Sequence, residues 1–157
     1  MPIRLTDHDI NTLILELKPL VPNWRQKLVS KPKRGHNEVE MDIDGSNGSR
    51  FRVIIRQSKF SSLDCSVILA YQLPNTNRLF ILRRYNGKSH THTNNIEGET
   101  FFDFHIHTAT ERYQARGFRP EHWGTPTDRY ADLEGALECM ISDCGFITPE
   151  DNQLHLF

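Results

Sequence analysis

Only three cysteines occur in this chain of 157 residues, and no two stand in a Cys-x-x-Cys pair. Cys65, Cys139 and Cys144 are odd in number, which argues against a complete intramolecular disulfide framework, and the missing pair removes a common thiolate zinc motif. Cys139 and Cys144 lie five apart on an expected helix, too far round it to pair easily. No apolar run approaches the roughly 20 residues needed to span a bilayer, and the N-terminus lacks the apolar core of a signal peptide. These absences make a reducing, cytoplasmic setting and no membrane partner the simplest expectation.

Net charge is nearly absent as well, at −1, yet its parts are segregated. Every charge from Arg25 to Arg34 is basic: Arg25, Lys27, Lys31, Lys33 and Arg34. Arg78, Arg83, Arg84 and Lys88 follow with no acid before Glu97, while Asp132, Glu134, Glu138, Asp143, Glu150 and Asp151 weight the C-terminal part. Such segregation permits a basic face that attracts phosphate on a nearly neutral molecule. Solvated loops and edge strands would use the same residues.

What is present is clear periodicity. Thr6-Asp7-His8-Asp9 is close to a capping box, a threonine with an acid three residues on, and Ile10, Leu13, Ile14 and Leu17 follow at helical spacing. Pro19 and Pro22 end that helix, a short turn over 23–28 carries Trp24 inward, and Lys31 to Gly35 is an exposed loop. Val39, Met41 and Ile43 then alternate with Glu38, Glu40 and Asp42, the period of a strand with one wet face. Asp44-Gly45-Ser46-Asn47-Gly48 turns the chain into a strand bearing Phe51, Val53 and Ile55. Cys65, Val67, Leu69 and Tyr71 mark a third strand, and Arg78 to Tyr85 a fourth. His90–Thr93 and Phe101–Thr108 are expected to pair as the last two. Tyr113 to Tyr130 reads as irregular, with Thr125-Pro126-Thr127 a turn. Asp132 caps a closing helix whose stripe is Leu133, Ala136, Leu137, Met140, Ile141 and Cys144, stopped by Gly145. The expectation is one α+β domain over 1–157. It is a curved antiparallel sheet of about five or six strands, flanked by an N-terminal and a C-terminal helix.

Four of the eight histidines stand in two His-x-His pairs, His90/His92 and His105/His107. Side chains two apart on a strand share a face, so a hairpin could gather all four imidazoles. From Phe101 to His107 the alternation sets Phe102, Phe104 and Ile106 on a core face. Asp103, His105 and His107 fall on the other, open to solvent or a cleft. In the preceding strand Arg83 and Tyr85 form the outward pair and Arg84 sides with Phe80 and Leu82, unless a bulge reverses them.

Three readings compete. His105 and His107, with His92, suit general base and acid in metal-free RNA cleavage, because imidazole titrates near neutrality. Arg83 or Arg84 would then offset charge on phosphorus. Alternatively the pairs supply three or four nitrogens to zinc, with Asp103 or Glu111 as an oxygen ligand and a phosphoester as substrate. In the third reading these residues are the wet face of a sheet, or a surface that docks a protein. His8, His36, His122 and His155 read as surface histidines. Tyr113, Phe118, Trp123 and Tyr130 read as satellite core beneath a long loop, with Tyr113 the best placed to stack a base.

Arg83-Arg84-Tyr85-Asn86-Gly87, then His90 and His92, then Phe104-His105-Ile106-His107, resembles the centre of TumE-like toxin components of bacterial toxin–antitoxin pairs. In these an Arg-Tyr-Asp step precedes clustered histidines; Asn86 stands where they more often carry aspartate. The likeness covers about a fifth of the chain. It implies an intracellular growth inhibitor acting on RNA and neutralised by a cognate antitoxin. The expectation is accordingly a toxin-like metal-independent ribonuclease. His105 and His107 are its acid and base, Arg83 clamps phosphate, and His90, His92, Tyr85, Arg84 and Tyr113 position the substrate. No metal and no cofactor enter this first choice. The alternatives are a non-enzymatic interaction module, such as an antitoxin-like or phage-encoded inhibitor, and a histidine-ligated metal-dependent phosphoesterase.

Overall fold

The computed structural model describes residues 4–149; Glu150, Asp151 and His155 lie outside them. Helix α1 (Asp7–Leu15) starts at the expected cap. Thr6 Oγ1 accepts the Asp9 N–H at 3.0 Å, and the Asp9 carboxylate accepts the Thr6 N–H at 3.1 Å. The helix stops before Leu17, which is exposed, so Ile10 and Ile14 are its buried residues. Strand β1 (Lys18–Pro19) and a short 3-10 turn (Trp24–Lys27), which buries Trp24, lead to the sheet.

Its first strands are β2 (Val29–Ser30), β3 (His36–Asp44), β4 (Arg50–Ser58), β5 (Cys65–Gln72) and β6 (Leu79–Asn86). A small hairpin of β7 (His92–Thr93) and β8 (Thr100–Phe101) intervenes before β9 (His105–Thr108). Then come α2 (Glu111–Ala115), β10 (Gly124–Pro126), α3 (Leu133–Asp143) and β11 (Phe146–Ile147), which pairs in parallel with β1. The main sheet has seven antiparallel strands in the order β10-β9-β6-β5-β4-β3-β2, and helices α1 and α3 pack on it. The α+β architecture is therefore as expected, with β2 and β10 added as short edges. Among the described residues no helix is long and apolar enough to cross a membrane.

Three local expectations need correction. Phe101–Thr108 is not one strand. It breaks at 102–104, so that Phe101 pairs with His92 while β9 turns away to pair with β6. Phe102, at the break, is exposed and not core. The segment expected to be irregular holds α2, capped by Thr110, and β10, where a turn was expected. Pro126 is tolerated there because an edge strand need not use every N–H.

Residues directly opposite one another on neighbouring strands share a face. One face carries Phe51, Val53, Ile55, Val67, Leu69, Leu82 and Tyr85 in a single core with Ile10, Ile14, Leu137 and Met140 of the helices. Full burial of such a side chain contributes about 1.5–3 kcal/mol. On the opposite face, Glu38, Arg56, Ser66, Asn86 and His105 stand in one cross-strand row, and Arg84 and His107 in the next.

Strand β6 also overturns the expected sidedness of its arginines. Its register with β5 passes from Leu69↔Arg83 to Ala70↔Ile81, leaving Leu82 as the extra residue of a bulge. Two residues then oppose one, and the alternation resets. Leu82, Arg83 and Tyr85 consequently lie on the helix side, whereas Arg84 and Asn86 lie on the polar face.

Candidate functional site

His105 and His107 project from β9 on the polar face, opposite Asn86 and Arg84 of β6. The expected side is correct but the expected exposure is not: His105 is 2% and His107 8% exposed. The reason is tertiary. Hairpin β7–β8 folds over them, setting His92 parallel to His105 at 5.4 Å between ring centroids and edge-on to His107 at 4.7 Å. Phe101 covers His105 from the same hairpin, also at 5.4 Å.

Buried Asn94 anchors that hairpin. Its amide donates to the Gly124 carbonyl and accepts the Gly124 N–H, both at 2.8 Å, which settles which end of the amide is oxygen. Tyr113 is wholly buried. Its hydroxyl donates to Glu97 at 2.6 Å and accepts the Ile96 N–H at 3.2 Å, tying down the loop of the hairpin. His122 Nε2 donates to the Thr93 carbonyl at 3.1 Å.

A carbonyl oxygen only accepts, so these contacts fix where each imidazole keeps its proton. His105 Nδ1 donates to the Asp103 carbonyl at 2.7 Å, and His107 Nδ1 to the His122 carbonyl at 3.1 Å. His92 Nε2 donates to the Asn94 side-chain oxygen at 3.0 Å. The lone pairs left over belong to Nε2 of His105, Nε2 of His107 and Nδ1 of His92. His105 Nε2 is buried with no partner among the described residues.

One ring nitrogen from each of the three lies within 4.8 Å of the other two. Some point is then no farther than about 2.8 Å (4.8/√3) from all of them. Zinc–imidazole bonds of about 2.0–2.1 Å require the rings to close by less than an ångström each.

Burial lowers all three imidazoles. For His107 the neighbouring His105, His92 and Arg84 add to it and bring the ring down to about 3. In His105 and His92 burial is again the largest cause. Burial thus favours the neutral imidazole, the form that binds metal, and His107 lacks the imidazolium proton that a general acid would give up near neutral pH.

A cavity of about 750 Å³ opens against this cluster. Arg34, Arg56, Arg84 and Arg119 line it together with His90 and His122. Buried Glu121 faces both Arg84, at 3.4 Å, and Arg119, at 3.9 Å. Buried Glu38 answers Arg56 at 2.6 Å and Lys33 at 3.9 Å. Each carboxylate thus meets more than one cation, and the cleft keeps a positive surplus that favours anions. Arg84 Nε and Asn86 Oδ1, like His105 Nε2, are buried without partners among the described residues.

Of the residues expected at the site, the fold gathers His92, His105, His107 and Arg84, with His90 exposed on the cavity wall. Arg83 and Tyr85 are elsewhere, because the bulge turns them to the helix side. Arg83 donates to the Tyr85 hydroxyl at 3.4 Å, and that hydroxyl donates to Asp143 at 2.8 Å. Arg129 holds the same carboxylate through two bonds of 2.8 Å, so the group ties β6 to α3. Tyr113 is sealed in and has no face for a base. Asp103 and Glu111 bring no side chain to the cluster: Asp103 contributes its carbonyl, and Glu111 bonds at the start of α1. The residues missed were Asn94, His122, Arg56, Arg119 and Glu121. Of these Arg56 carried a sequence signal, on the polar side of the alternation with Phe51, Val53 and Ile55, whereas Asn94 follows the end of β7, where no periodicity places it.

The chain matches no protein-family model, no curated protein and no solved structure.

Proposed function

We propose that the cleft is a metal centre that hydrolyses phosphoesters, with His92, His105 and His107 holding a zinc-like divalent ion. One observation carries this reading: a ring nitrogen from each of the three histidines lies within 4.8 Å of the other two, and each ring is also held by a donation to a carbonyl oxygen. Outer hydrogen bonds of this kind orient and fix the tautomer of histidine ligands. Three nitrogens suit a borderline-soft ion such as zinc and leave one tetrahedral position free.

A bound zinc ion would supply an activated water near neutral pH and polarise a phosphoryl oxygen. Arg84 and Arg119, steadied by Glu121, are placed to meet the non-bridging oxygens with charge-assisted hydrogen bonds. Water adds to phosphorus, the ester P–O bond breaks, and the alcohol departs with a proton from that water. Nucleic acid, the substrate class that the TumE-like stretch implies, supplies such an ester. A cognate antitoxin is the protein partner implied by the same resemblance. The metal-free ribonuclease reading is less well supported, because two of its three imidazoles are buried and His107 is neutral far into acid.

The test is zinc titration by calorimetry, together with hydrolysis of bis(p-nitrophenyl) phosphate and of RNA with and without EDTA. The expected result is one zinc per chain, lost in His105→Ala and His107→Ala, with cleavage abolished by EDTA and restored by zinc. Absence of zinc uptake at micromolar concentrations would sink the proposal. Cleavage that survives chelation would return the site to imidazole acid–base chemistry.

A further inference from the structure

Phe60 is 88% exposed, more than any other large apolar side chain among the described residues, and it lines the histidine cleft beside Arg34 and Gly35. Its backbone is firmly held. The Phe60 N–H donates to Ser58 Oγ at 3.0 Å, the Lys59 N–H to the Gly35 carbonyl at 3.0 Å, and the Ser58 N–H to the Asp64 carbonyl at 2.8 Å. A braced turn at the end of β4 thus presents an aromatic ring to solvent.

The same strand carries Arg56, which shares one cross-strand row with Ser66, Asn86 and His105. Three inter-strand steps of about 4.8 Å put Arg56 roughly 14 Å from His105. A polar track therefore runs across the sheet from the aromatic rim to the histidines, with Arg56 and Ser66 between.

We infer that Phe60 is a base-stacking platform and that the cleft takes a single-stranded polynucleotide, one phosphodiester at the histidines and a base from farther along the strand on the ring. This rests on the cleft being a phosphoester site, though not on its holding metal. Two features select the ligand. His105 and His107 lie on a recessed floor beneath β7–β8, which the stiff rod of a duplex does not enter but a flexible strand does. An isolated phosphate or a short ester at the histidines would not reach the far end of a track this long. An aromatic face also accepts any base, because every base offers a π-face.

The test is fluorescence anisotropy of a labelled ten-residue oligodeoxyadenylate with the full chain in EDTA, where the missing 2′-hydroxyl and the missing metal leave neither route to turnover. The expected result is tighter binding than to a duplex of equal length. Phe60→Ala should weaken binding about ten-fold, the scale of one stacked base, and Phe60→Trp should retain it. Unaltered binding by Phe60→Ala, equal binding of the duplex, or no binding of the oligonucleotide would each overturn the inference. Failure of zinc uptake, measured separately, would sink the metal proposal and leave this one standing.

Discussion

Asn94 uses a single amide to join three parts of the site. Its oxygen takes the His92 Nε2 proton and the Gly124 N–H, while its nitrogen donates to the Gly124 carbonyl and, at 3.2 Å, to Glu99. His92 thereby keeps its proton on Nε2 and leaves the lone pair on Nδ1. We predict that Asn94→Ala leaves the sheet folded but weakens zinc binding about 10–100-fold, the usual effect of losing an outer-sphere partner. Calorimetry measures the affinity, and long-range ¹H–¹⁵N spectra of the imidazoles report the tautomer. A purely structural role for Asn94 would shift the melting temperature and leave the His92 tautomer as it was. A fully retained Nε2–H tautomer alongside unchanged zinc affinity would refute positioning. At this same scale Arg84, not Arg83, is the arginine expected to matter for a phosphate ligand.

Hairpin β7–β8 covers the histidines and edge strand β10 flanks them, and they show what periodicity does and does not reveal. The cap and stripe of each long helix are local, as is the alternation in β3, β4 and β5, and these elements stand close to where pattern placed them. Alternation also put His105 and His107 on the correct side of β9. It reports side and not depth. Their burial comes from a hairpin that reaches over from another part of the chain, and from Gly124 on the strand beyond. The bulge at Leu82 was equally invisible, because it satisfies packing of Leu82 and Tyr85 against distant α3, and one reset of alternation was enough to exchange Arg83 for Arg84. Gly124 offers an element-scale test. A Cβ added there would stand 3.2 Å from Cε1 and Nδ1 of His107 and 3.4 Å from Cδ2 of His105. We predict that Gly124→Ala costs about 1–3 kcal/mol of stability by overpacking. It should also weaken zinc binding about ten-fold as His107 loses its seat. Chemical denaturation and calorimetry on the same preparation check both, and zinc affinity equal to that of the parent would show that β10 does not set the ligand geometry.

On the whole molecule, the helices are locked to the core side of the sheet by one fully buried cation. Lys18 Nζ contacts the carbonyls of Leu13, Ile14 and Glu16 at the end of α1 and of Cys144 at the end of α3, at 2.7–2.9 Å, with the Phe51 ring 4.4 Å away. Both helix C-termini carry partial negative charge that favours a cation, while burial pushes Lys18 down to about 8. Removing the side chain strands carbonyls away from water, so Lys18→Met is predicted to cost about 3 kcal/mol near neutral pH. The pH dependence has a definite sign. Below pH 8 both folded and unfolded chains hold the proton. Between there and the ordinary lysine value of 10.5 only the unfolded chain does, so this group's contribution to stability rises with pH. The gap between parent and Lys18→Met should therefore widen by about 1 kcal/mol from pH 7 to pH 9. Urea unfolding of both proteins at the two pH values measures it, and taking the difference cancels the opposing titration of buried tyrosines and cysteines. A gap that stays constant or narrows would mean that the two helix ends hold the ammonium more strongly than burial expels its charge.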